Sequence, residues 1–396
     1  MLATGVLACR VGLLLRIPDV VLLLLAGLAL GRSGLGWLNL APGLSGIQLL
    51  VIVGAAYILF RGGTALEFRV LRSVWITVGL LATVGVVLTG LLTGAAAASL
   101  FGVTFATGVL IAAVIASTDP ATLIPLLEQV PVPARLKQTI LAESALNDAT
   151  GTIFTFAVLP LALGGAPSAL GVATGFVWQV VASLGIGAAG GLAAGLLMAE
   201  RGWLRAYSSV LLLGLVILSY AAAESIGASG FMAAFAAGLV VGNMQYSRFR
   251  ANVALHERTN HYLDATAGLF RIFLFVLLGS DLDLHSLLAL MVPALLTVMV
   301  LMLIARPVAV LFCALPDRRA GWRVADLVFL SWSRETGVIP AALVAALAAR
   351  HTPHMAEITA VTTLAILLTI LVQGSTAGPL AQALRLMRSG TRPADI

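Results

Sequence analysis

Most of the chain consists of apolar segments, each long enough to cross a lipid bilayer as a helix, separated by short joints that contain charged residues. Hydrophobic residues make up 60% of the 396 positions, and charged residues make up only 10%. A water-soluble domain of this length needs a largely polar surface, which so few polar residues cannot provide. A segment inside hydrocarbon must satisfy its backbone polar groups internally, as a helix does. We therefore predict an all-α polytopic membrane protein.

The apolar segments predict about thirteen transmembrane helices in a single domain, residues 1–384, followed by a short cytoplasmic tail, 385–396. The first helix is short for a span and contains Arg10 and Arg16, so a truncated start and a partial first helix both stay open. The predicted helices span residues 1–16, 19–31, 43–61, 73–94, 104–126, 136–163, 168–199, 204–223, 227–243, 262–280, 285–313, 324–349 and 356–384.

The basic residues alternate between successive joints. Of the 23 Lys and Arg residues, 18 lie after odd-numbered helices or in the tail, and two, Arg32 and Arg350, lie after even-numbered helices. Cytoplasmic joints of membrane proteins are enriched in Lys and Arg. We therefore predict a multi-pass protein of the cell (inner) membrane with its N-terminus outside and its C-terminus in the cytoplasm. The basic excess is explained by topology, and we expect no nucleic-acid partner.

The fifth helix contains Ser117, Thr118, Asp119 and Pro120 inside an apolar run. Pro120 and Pro125 lack a backbone donor, and residues before proline avoid the α conformation, so we expect the helix to break near Thr118 and Asp119. Broken helices at membrane depth line polar cavities, where freed carbonyl groups ligate cations. Asp119 is then part of an ion site, a cap of the second half-helix, or both.

The sixth helix places Ser144, Asn147, Asp148 and Gly151 on one face, because they are three or four residues apart. At 1.5 Å per residue, Asp148 lies roughly 18 Å from the cytoplasmic start of this helix, near the bilayer centre. An ionisable residue at that depth is costly and marks an ion or proton path. Competition of a proton and a small cation for Asp148 would drive exchange. The alternative is a structural Asp that is bonded to neighbouring hydroxyl groups.

Glu143 and Arg306 are predicted to be partners. Each lies about seven residues from the cytoplasmic end of its helix, so both are roughly 10 Å deep on the same side. Unpaired charges at that depth would be costly, so we expect a structural ion pair.

A second polar segment interrupts the twelfth helix at Arg334 and Glu335, with Gly337 and Pro340 following. It lies seven helices after the first broken helix, and this odd separation gives the two units opposite senses across the membrane. We therefore predict an inverted repeat with two crossed broken helices at its centre. The core helices would span about 73–163 and 285–384, and the dimerisation or scaffold helices about 1–61 and 168–280.

These residues resemble the monovalent cation:proton antiporter-1 family, in its sodium/proton exchanger branch. The specific motif is the Asn147-Asp148 pair with Glu143 upstream, together with the Thr118-Asp119-Pro120 helix. The resemblance covers nearly the whole chain. Further matches are Leu59-Phe60-Arg61-Gly62-Gly63, Ser229-Gly230-Phe231 with Ala233, Ala236 and Gly238, Phe275 with Leu277 and Gly279, and Arg306-Pro307.

The resemblance implies a homodimeric elevator that exchanges Na⁺, or K⁺ or Li⁺, for protons and needs no cofactor. Asp148 would be the acid shared by cation and proton, Ser144 and Thr118 would be cation ligands, and Asp119 would belong to the crossed-helix site. Asn147 stands where the electrogenic branch has a second Asp, so electroneutral one-for-one exchange is implied. Glu143 and Arg306 match the family's structural ion pair.

Glu335 departs from the family's pattern, in which the arginine of the twelfth helix is commonly followed by Gly. We expect Arg334 to hold Glu335 ionised, so that only Asp148 exchanges its proton during the cycle. The added acid puts the ion preference in doubt.

Three other functions were compared with cation/proton exchange. An intramembrane aspartyl protease using Asp119 and Asp148 would need Gly-x-Gly-Asp and Tyr-Asp motifs, which do not surround these acids, so we predict no enzyme. A sodium-coupled solute symporter of related broken-helix fold is the main alternative, but it would need a roomy crevice, whereas the site residues are small and few. A cation channel is disfavoured because no pore loop is repeated.

Overall fold

The computed structural model describes residues 2–15, 19–38, 45–165, 169–198, 207–244, 253–280 and 284–386. Within these ranges the only regular secondary structure is helical. In chain order the helices are α1 (Leu2–Leu15), α2 (Asp19–Leu30), α3 (Ser45–Thr64), α4 (Phe68–Phe101), α5 (Phe105–Val114), α6 (Pro120–Gln129), α7 (Ala134–Ala162), α8 (Ala169–Met198), α9 (Ser208–Ser225), α10 (Gly230–Asn243), α11 (Val253–Ser280), α12 (Leu284–Ala289), α13 (Met291–Ala314), α14 (Val324–Trp332), α15 (Val338–Ala349) and α16 (Met355–Ala383).

Long apolar helices dominate the described part of the chain. Seven of them, α4, α7, α8, α9, α11, α13 and α16, contain a stretch long and apolar enough to cross a membrane, and six shorter apolar helices accompany them. The prediction of an all-α polytopic membrane protein is confirmed. The predicted tail, 385–396, lies outside the described residues from position 387 onward.

Two predicted helices are broken where their proline and polar residues indicate. The helix expected over 104–126 consists of α5 and α6, which are separated by residues 115–119, and the helix expected over 324–349 consists of α14 and α15, which are separated by residues 333–337. We call residues 115–119 the first break and residues 333–337 the second break.

The expectation of one continuous helix over 285–313 is wrong. Helix α12 ends at Ala289, and α13 begins two residues later at Met291. Pro293 lies in the first turn of α13, where its missing donor costs nothing, but its ring would clash with the carbonyl of Ala289 in a continuous helix.

The chain forms two compact units. The first unit comprises Met1–Leu15, Leu22–Phe68 and Gly165–Asp283, and the second comprises Arg16–Val21, Arg69–Gly164 and Leu284–Ile396. In the first unit, α3 and α10 approach through glycines, because a Cβ at Gly63 or Gly238 would overlap a carbonyl of the facing helix. Close approach of this kind is how helices associate in lipid.

The second unit contains the same succession of helices twice. Helix α4 has a π turn at Leu81–Gly85 and is followed by α5, the first break, α6 and the long helix α7. Helix α13 has a π turn at Leu301–Ala305 and is followed by α14, the second break, α15 and the long helix α16. This succession is the internal repeat that the two broken helices predict, and every predicted site residue lies in this unit.

Candidate functional site

The two breaks meet through their backbones. The amide of Asp119 in the first break donates a hydrogen bond to the carbonyl of Glu335 in the second, at 2.8 Å. Both segments are buried, and their backbone groups cannot be satisfied within a helix. Contact between the breaks supplies a partner where water is excluded.

Gly337 allows the breaks to approach. A Cβ at this position would overlap the Asp119 carboxylate and would lie only 2.7 Å from Cβ and Cγ of Asp119. A side chain of any other residue would therefore have no room at this position.

Arg334 caps the end of α5 from the other half of the unit. Its Nη2 donates to the carbonyl of Ile115 at 2.6 Å and to that of Ser117 at 3.4 Å. The last carbonyls of a helix have no partner within the helix, and a cation is favourable there. The expectation that Arg334 holds Glu335 ionised is wrong, because no ion pair joins the two among the described residues and Arg334 bonds to these carbonyls instead.

Asn147 attaches α7 to the first break. Its Oδ1 accepts hydrogen bonds from the amide of Thr118 at 3.0 Å and from the Thr118 hydroxyl at 3.2 Å, and its Nδ2 lies 2.9 Å from that hydroxyl. One turn further along, a Cβ at Gly151 would lie 2.9 Å from Cβ of Ser117. These contacts hold α7 against the break and leave the Thr118 hydroxyl one lone pair.

Asp148 is buried without a hydrogen-bond donor. The residue is 1% exposed, and neither carboxylate oxygen has a hydrogen-bond partner among the described residues. The hydroxyl groups of Ser117 and Ser144 are likewise unpartnered, and Ser117 lies beside Asp148 without the distance and angle of a hydrogen bond. Asp119 is close enough to repel a negative charge on Asp148. A bare carboxylate is unstable there, so a bound cation or proton is required.

Glu143 and Arg306 form a bidentate pair away from this acid. Arg306 donates through Nη1 and Nη2 to the two carboxylate oxygens of Glu143, at 2.5 and 2.8 Å, and through Nη2 to the carbonyl of Leu330 at 3.1 Å. Both side chains are buried. The pair connects α7, α13 and α14 and supports the helix that carries Asp148.

The site lies inside a segment that matches a known family. Residues 1–383 match the family model described as "Sodium/hydrogen exchanger, transmembrane". The chain belongs to this exchanger family. The resemblance recognised in the sequence is confirmed.

Curated relatives of the chain are antiporters by name. The chain is 30% identical over 344 residues to the K(+)/H(+) antiporter NhaP2 of Shewanella sp. (strain MR-4), which covers 85% of this chain and 58% of that protein. It is 27% identical over 359 residues to the Probable Na(+)/H(+) antiporter 2 of Methanocaldococcus jannaschii, which covers 87% of this chain and 82% of that protein. The chain thus spans little more than half the length of the Shewanella relative.

Solved structures of the sodium proton antiporter MjNhaP1 from Methanocaldococcus jannaschii have the same fold. One matches with a TM-score of 0.80 and 25% identity over 97% of this chain and 95% of that chain. A second, determined at pH 8, matches with a TM-score of 0.76 and 23% identity over 97% and 96%. The predicted antiporter fold is confirmed.

Two further polar residues of this chain were not singled out from its sequence. Thr122 donates from its hydroxyl to the carbonyl of Asp119 at 2.7 Å. Gln373, in the π turn Thr369–Gly374 of α16, is buried, and neither atom of its amide has a partner among the described residues. A lone glutamine inside an apolar helix was the available signal, because a buried amide requires partners.

Proposed function

We propose that the chain is a secondary active antiporter that exchanges a monovalent cation for a proton, with Asp148 binding the two in turn. The single observation that carries this proposal is the buried Asp148 carboxylate, which has no donor among the described residues, lies beside Ser117 and is one helical turn from Ser144. The antiporter names of the relatives support the same activity.

The charge of Asp148 explains exchange. An empty, ionised Asp148 is destabilised by burial and by Asp119, so the carrier changes sides with either a proton or a cation on that carboxylate. Because the two ligands neutralise the same charge, binding of one releases the other. Transport of either ion down its gradient therefore drives the other in the opposite direction.

The cation ligands would be Asp148, Ser144 and Thr118, which supply the hard oxygen atoms that Na⁺, K⁺ and Li⁺ prefer. Asn147 acts differently: it holds Thr118 in place through its amide and cannot titrate. One cation then replaces one proton, and the cycle is electroneutral.

The two compact units would have different roles in transport. We assign the ion-carrying core to the second unit, and the homodimeric scaffold to the first, in an alternating-access cycle of the elevator type. The arginine distribution supports insertion in the cell (inner) membrane with the N-terminus outside and the C-terminus in the cytoplasm.

The test is cation-driven pH change in proteoliposomes, without any organic solute and clamped at several membrane potentials. Wild type should move protons against a Na⁺ or K⁺ gradient, with a reversal point that does not change with voltage. Asp148→Asn should be inactive, and the control Asp264→Asn should be active, because Asp264 is 56% exposed and its pair with Arg61 lies in the first unit. A reversal point that follows the voltage would contradict electroneutrality, and a requirement for an organic solute would indicate symport.

A further inference from the structure

The second break repeats the hydrogen-bonding arrangement of the first. The amide of Thr118 donates to Asn147 on the long helix α7, and the amide of Thr336 donates to Thr369 on the long helix α16 at 2.9 Å. The residue before each of these threonines contacts a glycine of the same long helix: Ser117 contacts Gly151 and Glu335 contacts Gly374. Glu335 is therefore the residue of the second break that corresponds to Ser117 of the first break. Ser117 in turn lies beside Asp148.

Glu335 is buried without a positive partner. The residue is 3% exposed, and none of the ion pairs among the described residues includes it. The neighbouring Arg334 donates through Nη2 to carbonyls of the first break, and its Nη1 has no hydrogen-bond partner among the described residues, Glu335 included. The charged group that faces Glu335 is Asp119, which has the same sign. An ionised Glu335 would be a buried, uncompensated charge beside another carboxylate.

The Thr122 hydroxyl lies near Glu335 but does not neutralise it. The two side chains interact, but the Thr122 hydroxyl has only one proton, which it donates to the carbonyl of Asp119 at 2.7 Å. This hydroxyl therefore has no proton left with which to stabilise an ionised Glu335.

The neighbouring groups of α16 suit a neutral acid. A Cβ at Gly374 would lie 2.9 Å from Oε1 of Glu335, so glycine makes room for the carboxyl group. Gln373 shares a helix face with Thr369 and Thr376, whose hydroxyl groups accept hydrogen bonds from Thr336 and Trp332. Its unpartnered amide can accept from or donate to a carboxylic acid but cannot neutralise a carboxylate.

We propose that Glu335 is a second proton-binding site, separate from Asp148, whose proton stays bound while Asp148 exchanges its own. The retention of this proton through the cycle rests on the antiport proposed above, whereas its presence does not. Glu335, which departs from the family's pattern, then adds a carboxyl group where the two breaks meet but adds no charge. The one-for-one exchange of cation for proton is preserved.

Infrared spectroscopy of the purified protein in lipid at neutral pH tests the proposal without transport. In an Asp148→Asn background, the carbonyl band of a protonated carboxylic acid should be present, should disappear when Glu335→Gln is added, and should be unaffected by saturating Na⁺ or K⁺. A spectrum that Glu335→Gln leaves unchanged would show that Glu335 is ionised and would overturn the proposal. Loss of the band on cation addition would make the pocket a cation site and would overturn it too.

A second variant retains Glu335 and changes its surroundings. Gly374→Ala places a methyl group 2.9 Å from Oε1 of Glu335, so the same band should shift in frequency. A band that does not move would show that it belongs to another acid and would contradict the proposal. Loss of transport by the Asp148→Asn background has no influence on either spectrum, so failure of the antiport proposal would be distinguishable from failure of this one.

Discussion

Removing the carboxylate of Glu143 should destabilise the fold strongly, and removing both members of its pair with Arg306 should recover part of that loss. Two hydrogen bonds join these buried side chains. Glu143→Gln leaves a guanidinium that cannot lose its proton, without a countercharge and with one acceptor oxygen of residue 143 replaced by an NH₂ donor, while the carbonyl of Leu330 still accepts from it. Breaking a buried pair in this way costs about 3–5 kcal/mol.

The two single variants should differ in their pH dependence. Arg306→Gln leaves Glu143, which can become neutral by taking up a proton, so the loss of stability should shrink as the pH falls. Glu143→Gln leaves a permanent charge, so its loss should not shrink. The double variant contains two neutral amides of similar size, and we expect a coupling energy of about 2–3 kcal/mol, near the top of the range for residues in contact.

The assay is equilibrium unfolding in detergent for the wild type, both single variants and the double variant. The matched control is the Arg61–Asp264 pair, whose 2.6 Å contact is half-exposed and should contribute about 0–1 kcal/mol. If the losses of Glu143→Gln and Arg306→Gln add without coupling, the two residues do not stabilise each other and the reasoning is refuted.

Three further predictions concern the contact between the two breaks. Gly337→Ala should abolish exchange because its Cβ would displace Asp119, whereas Gly79→Ala, which meets open space in α4, should be tolerated; equal transport by both variants would contradict the close approach. Arg334→Gln should lower the free energy of unfolding by about 1.5–3 kcal/mol, and Arg334→Lys should not restore it, as measured by unfolding in detergent. Glu335→Gln should exchange cations for protons with the wild-type pH profile, and Glu335→Ala should be slower; a shifted profile for Glu335→Gln would indicate that Glu335 titrates.

The positions of the breaks could be predicted from the sequence because few backbone conformations satisfy the polar groups of a chain inside a bilayer. Pro120 cannot continue a helix, and polar residues at membrane depth need a cavity or a partner. A buried charge at membrane depth also needs a partner, so the similar depths of Glu143 and Arg306 predicted that they form a pair. The structure places the two side chains in contact. By contrast, the separation of α12 from α13 rests on a single proline in an apolar run, which most membrane helices would tolerate.

The partners of Arg334 and Glu335 could not be predicted in this way. A neighbouring arginine and glutamate suggest an ion pair, but the carbonyls that hold Arg334 belong to the first break, far away in the sequence. Gly374 and Thr122 are also far from Glu335 along the chain. Such contacts depend on how the two repeats of the second unit pack against each other, and a pattern of neighbouring residues does not predict that packing.

The most direct test of the central claim, that one carboxylate binds cation and proton in turn, is the number of protons released when a cation binds. Calorimetric titration of the detergent-purified protein with Na⁺ and with K⁺, in buffers of different ionisation enthalpy, gives this number. We predict one proton released per cation bound for the wild type, and neither cation binding nor release for Asp148→Asn. Cation binding without proton release, or release that persists in Asp148→Asn, would contradict the account.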